Sequence, residues 1–267
     1  MTPAENRVAD TPVLECRQVE RRFGGLVALS GVDMRIRRGE IFGLVGPNGS
    51  GKTTLTNAIT GFYPPQRGHI LLDGRDITGM APHAVARLGV ARTFQNLALF
   101  NGMTVLDNVL LGRHVHMQPS VLRTALYSLL ARKDEIRHRM VVEEVIDFLQ
   151  LQGVRNELVD AIPIGLKKRV ELARALVAEP RFLILDEPMA GMNQEEKEYM
   201  ARFVLDARDE RGVTVLLIEH HMDIITGICD RMLVLSYGEM IDTGVPREVI
   251  KDPRVIKAYL GSAHAAA

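Results

Sequence analysis

The chain changes its hydrophobic rhythm along its length, and those changes organise it. From Val13 to Glu40 short runs alternate, as in Val13-Leu14-Glu15-Cys16 and Gly31-Val32-Asp33-Met34-Arg35-Ile36, predicting strands with one buried face. Phe182–Leu185, Val213–Ile218 and Met232–Leu235 instead read as nearly unbroken apolar runs. Such runs predict strands of a parallel sheet that is covered on both sides. Between these blocks, His69–Leu72 predicts a strand turned back by Asp73-Gly74, Pro82–Leu88 a short helix, and Gly89–Gln95 another strand.

From Thr104 to about Gln152 the spacing becomes helical. Thr104 is placed to cap a helix, with Asp107 three residues on as the acidic partner. Val121–Leu130 and Met140–Leu151 predict helices, the second burying Val141, Val145, Phe148 and Leu149 on one face. The mixed-charge run Arg132–Arg139 between them reads as a solvated helix face. Tyr237-Gly238-Glu239 predicts a hairpin turn, and Pro253–Leu260 a closing helix that ends at Gly261. Residues 1–12 and 262–267 read as loose ends.

The pattern implies an α/β fold: one domain over residues 12–262, with an N-terminal antiparallel β subdomain. Its core would take residues 12–100 and 178–262, and an inserted helical subdomain residues 101–177. A hydrophobic fraction of 46% and a charged fraction of 25% suit a soluble protein, and a formal net charge of zero argues against nucleic acid as a partner. Cys16 and Cys229 match no metal spacing and are expected as buried, reduced thiols. No run reaches the eighteen apolar residues of a membrane helix, so the chain itself is not expected to cross a bilayer, although it could dock onto a protein that does.

Candidate chemistry concentrates in Gly46–Thr54, which reads GPNGSGKTT. Gly46, Gly51, Lys52 and Thr53 satisfy the G-x-x-x-x-G-K-S/T pattern, and Pro47, Asn48, Gly49, Ser50 and Thr54 complete the segment. An apolar strand, Ile41–Val45, precedes it, and Thr53–Thr60 can form the helix that should follow. Glycines let successive backbone N–H groups curl around phosphate oxygens, and a helix N-terminus adds donors and partial positive charge. Lys52 would then bridge the β- and γ-phosphates of a nucleoside triphosphate, and the Thr53 hydroxyl would ligate Mg²⁺.

Asp186 and Glu187 end a buried strand, the position at which α/β sheets place their ligand chemistry. Asp186 suits Mg²⁺; Glu187 suits a base that orients or deprotonates a water. His220 follows a second buried strand and could reach the γ-phosphate side, although alone it would read as a surface histidine. Phe23 could stack on a base, although an aromatic in a strand is more often simply core.

Taken together and in order, these features resemble the nucleotide-binding subunits of ATP-binding-cassette transporters. The resemblance covers nearly the whole chain: Phe23 as the base-stacking aromatic, Gly46–Thr54 as the phosphate loop, and Gln95 as the glutamine that touches both Mg²⁺ and the membrane partner. Ile162–Leu166 fall at the signature position, followed by Asp186-Glu187 and the switch histidine His220. ARTFQNLALF, DEPMAGMN, LIEHHMD and DPRVIKAYLG are similar to the branch that powers branched-chain amino-acid importers. The resemblance implies an ATPase at the cytoplasmic face of the inner membrane, assembled with a second cassette subunit as a heterodimer, two permeases and a periplasmic solute-binding protein. An ATPase for a lipid or lipopolysaccharide exporter, or a soluble cassette protein, is the alternative.

The signature departs from the family's Leu-Ser-Gly-Gly-Gln: here it reads Ile162-Pro163-Ile164-Gly165-Leu166. Pro163 has neither a hydroxyl nor an N–H, and Ile164 puts a branched side chain where glycine admits phosphate. Only Gly165 and a helix over Lys167–Val177 are left to face a nucleotide held by another chain. Asn193 likewise replaces the family's usual aspartate.

Overall fold

The computed structural model describes residues 12–93, 98–116 and 130–264. Gln95, the start of the loop beyond it, and most of the helix expected over Val121–Leu130 lie outside the described residues. The chain divides into two compact units.

The first unit takes Met1–Val90, Arg181–Glu187 and Val204–Ala267. Strands β1 (Pro12–Phe23), β2 (Leu26–Arg37), β4 (Arg67–Leu72) and β5 (Arg75–Asp76) form an antiparallel sheet in the order β2-β1-β4-β5. β1 and β2 run longer than their alternating cores suggest, because register shifts let β1 bend while it stays paired; Gln18, at φ 49, sits at one such shift.

The second sheet follows the order β10-β9-β3-β8-β7-β6. β3 (Ile41–Val45) pairs in parallel with β8 (Thr214–Ile218) and β9 (Arg231–Ser236), and β8 pairs in parallel with β7 (Phe182–Asp186). β10 (Glu239–Gly244) returns antiparallel on β9 through the turn Tyr237-Gly238, and the edge strand β6 covers Val90–Arg92. Every residue of β3, β7 and β8 is buried, as unbroken apolar runs require of central strands.

Helix α1 (Lys52–Ile59) links the sheets through one core. Leu14, Val32 and Ile70 of the antiparallel sheet and Leu55 and Ile59 of α1 share that core with Phe42, Leu44, Phe182, Ile184, Leu216 and Leu233. The parallel strands contribute alternate residues, as the period of two demands. Each such side chain, fully buried, is worth about 1.5–3 kcal/mol. Four further helices lie in this unit: α2 (Pro82–Arg87), α7 (Met222–Ile228), α8 (Pro246–Val249) and α9 (Pro253–His264), the last running past Gly261.

The second unit takes Ala91–Pro180 and Pro188–Phe203. It holds α3 (Val105–Leu111), α4 (Leu130–Phe148), α5 (Ile164–Leu176) and the first part of α6 (Gln194–Arg211). Thr104 and Asp107 form a full capping box on α3. On α4 and the turn after it the buried stripe is Val142, Val145, Ile146 and Leu149; Val141 and Phe148, expected inside, are half-buried. Helix α5 begins at Ile164, three residues earlier than expected, with Pro163 as its N-cap. The fixed φ of proline suits that boundary, and its missing N–H costs nothing there.

Candidate active site

The phosphate-loop segment leaves β3 and enters α1, and close packing around its glycines shapes its backbone. Gly46 adopts φ 151, and a Cβ there would lie 2.2 Å from the Leu235 carbonyl oxygen of β9. Gly51 adopts φ 106, and its Cβ would lie 2.6 Å from the Ala28 carbonyl oxygen of β2. Only glycine tolerates both the conformation and the close approach. The loop is therefore wedged between the two sheets' strands.

No side chain caps the start of α1, and no acidic residue stands in its first turn. The first N–H groups of α1 thus lack the side-chain acceptor that caps most helices, an arrangement that suits an anion. The Ser50 hydroxyl oxygen is buried and finds no hydrogen-bond partner among the described residues. Lys52 is buried, and its Nζ donates to the carbonyl oxygens of Gly46 at 2.7 Å and Pro47 at 3.1 Å. Burial pushes its pKa down, and the nearby Glu187 and Asp186 carboxylates work against that shift. Thr53 is exposed, Thr54 half-buried, and Asn48 and Gly49 stand open at the loop tip.

Asp186 is the buried last residue of β7. Glu187 follows at φ 51, an uncommon backbone conformation for a residue with a side chain, and its N–H donates to the Ile218 carbonyl at 2.9 Å. Strain of this kind persists where the surrounding structure holds it and concentrates at functional sites. The Glu187 Oε1 lies 2.6 Å from His220 Nε2, which stands just beyond β8. Two residues read separately from the sequence therefore meet as one hydrogen-bonded pair. They meet because β7 and β8 are adjacent and in register, Asp186 opposite Ile218.

Phe23 ends β1 at the hairpin opposite Leu26, and 40% of its surface is open. Tyr63 packs edge-on against it with ring centroids 5.7 Å apart. The sequence singles out Phe23 but not Tyr63, whose spacing from Phe23 gives no local signal.

A second residue missed at the sequence level is Tyr259 of α9. Its hydroxyl is buried and faces the Gly46 backbone N–H. Burial pushes the phenol up to about 12, with the Gly46 N–H acting in the opposite direction.

At the signature position, Pro163 and Ile164 are exposed, but Gly165 is buried. A Cβ on Gly165 would lie 2.2 Å from Glu196 Oε1. That carboxylate also accepts from the Asn193 N–H at 2.9 Å, while the Asn193 side chain accepts from the Glu196 N–H at 2.9 Å. The pair caps α6 reciprocally, and Gly165 makes room for it. The glycine left over from the signature thus has a packing role inside its own unit. Asn193, the other departure, is a helix cap.

A family model for the ABC transporter matches residues 29–190, and a second, for the branched-chain amino acid ATP-binding cassette transporter, matches residues 243–265. The chain belongs to the ATP-binding-cassette transporter family. It is a cassette ATPase subunit of that family.

Among curated relatives, the high-affinity branched-chain amino acid transport ATP-binding protein BraF of Pseudomonas aeruginosa is 38% identical over 252 residues, covering 94% of this chain and 99% of that protein. LivG of Escherichia coli, a protein of the same description, is 37% identical, with coverage of 94% and 99%. The lipopolysaccharide export system ATP-binding protein LptB of Acidithiobacillus ferridurans is 34% identical, covering 93% and 97%. Among solved structures, the ADP conformation of a cassette from an ABC transporter superposes with a TM-score of 0.82 at 31% identity, covering 94% of this chain and 99% of that one. A nucleotide-free cassette gives 0.81 at 31% identity, with coverage of 93% and 98%. The α/β cassette fold and ATPase class expected from the motifs are thereby established.

The two buried cysteines are free thiols, as expected. Burial pushes the Cys16 thiol up to about 12 and raises Cys229 as well, so neither is a ready nucleophile. No group of metal-binding side chains occurs among the described residues, and no described helix is long and apolar enough to cross a membrane.

Proposed function

We propose that this chain is the ATP-hydrolysing subunit of an importer for branched-chain amino acids or related small polar solutes. The observation that carries the solute class is the C-terminal segment 243–265, which matches the branched-chain family model, in a chain 38% identical to BraF.

In the proposed reaction the phosphate loop and the N-terminus of α1 bind the triphosphate, with Lys52 turning from the Gly46 and Pro47 carbonyls to the phosphate oxygens. Glu187 accepts a proton from water as the water oxygen bonds to the γ-phosphorus, and the bond to the bridging oxygen breaks to give ADP and phosphate. His220, hydrogen-bonded to Glu187, orients that carboxylate and faces the γ-phosphate. Thr53, Asp186 and Gln95 are the oxygen donors that suit Mg²⁺, which supplies neutralising charge on the phosphates. Phe23 stacks on the adenine.

The assembly we infer contains a second cassette subunit, two permeases and a periplasmic solute-binding protein, on the cytoplasmic face of the inner membrane. A heterodimer suits the altered signature. The partner's intact signature would complete the site built on Lys52, Glu187 and His220, while Pro163, Ile164 and Gly165 would serve the other site poorly. A pull-down from native membranes with this chain as bait should recover permeases and a solute receptor that binds branched-chain amino acids. Recovery of lipopolysaccharide-export components instead would favour the reading that the 34% identity to LptB supports.

A further inference from the structure

The turn that follows α1 is stitched to the end of β1 by side chains outside the phosphate loop. Arg21 Nη1 donates to the Pro64 carbonyl at 2.8 Å. The same guanidinium lies 4.8 Å from the Phe23 ring centroid and 5.9 Å from that of Tyr63. The two rings meet at 85°. Gln66 completes the stitch, its Oε1 accepting from the Arg22 N–H at 2.7 Å and its own N–H donating to the Glu20 carbonyl at 2.9 Å. At the other end of the turn, the N–H groups of Phe62 and Tyr63 both donate to the Asn57 carbonyl in the last turn of α1, at 2.9 and 3.2 Å.

Phe23 is half-exposed at a hairpin tip, where an aromatic ring is free to change rotamer unless neighbours hold it. Here an edge-on ring from the turn that closes the phosphate-binding helix holds it, together with a cation from β1 that is anchored on that turn's Pro64 carbonyl. We propose that Arg21 and Tyr63 are positioning residues for the nucleobase. They hold the Phe23 ring as a stacking platform and set its place relative to α1, whose opposite end meets the phosphates. This rests on the reading of Phe23 as the base-stacking residue. A preset ring lowers the ordering cost of base binding, since fixing a side chain on association costs about 0.5–1.5 kcal/mol.

The test compares calorimetric affinities of the full chain for ATP and for inorganic tripolyphosphate, which has no base. Arg21→Met and Tyr63→Ala should each weaken ATP binding by about three- to ten-fold, the scale of one cation–π or aromatic-pair contact. Tripolyphosphate affinity should stay at the wild-type value, and Tyr63→Phe, which keeps the ring, should bind ATP normally. Phe23→Ala serves as the reference. Phe23→Ala weakened for ATP, with Arg21→Met and Tyr63→Ala unchanged, would overturn the positioning role and leave the Phe23 reading standing. Phe23→Ala with an unchanged ATP-to-tripolyphosphate ratio would overturn the Phe23 reading itself. Equal losses for both ligands would reduce Arg21 and Tyr63 to structural supports and also overturn the proposal.

Discussion

Glu187 and His220 are 33 residues apart in sequence and share a hydrogen bond of 2.6 Å. The pair spans the ends of two adjacent parallel strands, with Glu187 further held by its strained backbone and its bond to Ile218. Glu187→Gln should therefore keep ATP binding and lower phosphate release by about 10²–10⁴-fold, the cost of losing a positioned base. His220→Ala should lower it as well. Because His220 acts through the Glu187 carboxylate that it orients, the double variant should be little worse than the more damaging single one. Additive losses would show that the two residues act independently.

The signature segment offers a test in the assembled transporter. Pro163 caps α5 without a side-chain acceptor, and Ile164 occupies the first helical position. Pro163→Ser with Ile164→Gly restores a hydroxyl and an open approach to the helix N-terminus. ATP turnover of the complete complex should rise. An unchanged rate would mean that the helix N-terminus alone suffices, with both sites working.

Tyr259 links the C-terminal segment matched by the branched-chain model to the start of the phosphate loop. Tyr259→Phe keeps the ring and removes the buried hydroxyl that faces the Gly46 amide. A net polar contact of this kind is worth about 0.5–1.5 kcal/mol, so chemical denaturation should show a loss of that size. Unfolding at the wild-type denaturant midpoint would show that the contact carries no stability.

In the helical unit, the Arg113 guanidinium is buried and donates to the Val177 carbonyl at 2.5 Å and to Glu179 at 2.6 Å. The hydrogen bond from Arg113 holds the Glu179 carboxyl below its ordinary value of 4.5. A carboxyl depressed in the folded state adds stability above its unfolded pKa, and that contribution disappears as pH falls through the lowered folded value. Glu179→Gln should flatten the fall in melting temperature over that acid range while leaving the neutral-to-alkaline profile parallel to wild type. An acid limb as steep as the wild type's would place the sensitivity elsewhere.

Central strands and helix starts were legible because their signals are local. Phe182–Leu185 needs no partner's identity to read as a doubly covered strand, and Thr104 with Asp107 carries its capping geometry within four residues. The buried stripe of α4 was misplaced because its helical face is set by what packs on it: Phe148 turns toward Phe203, 6.4 Å away, while Val142 and Ile146 take the inner positions. The start of α5 was placed late because proline and a β-branched residue argue against a helix interior, yet at an N-cap and first position they are tolerated.

The amino-acid order by itself singled out the glycine-rich loop, the acidic pair and the histidine as candidates, because each is a residue type at a fixed spacing beside a strand. Tertiary structure alone decided which of them meet. It brought Glu187 to His220 through strand register, wedged Gly46 and Gly51 under the carbonyls of β9 and β2, and set Tyr259 on the loop. It also gave Gly165 to Glu196 and Tyr63 to Phe23. These are contacts between distant segments, fixed by packing and backbone pairing, and no local period or motif encodes them.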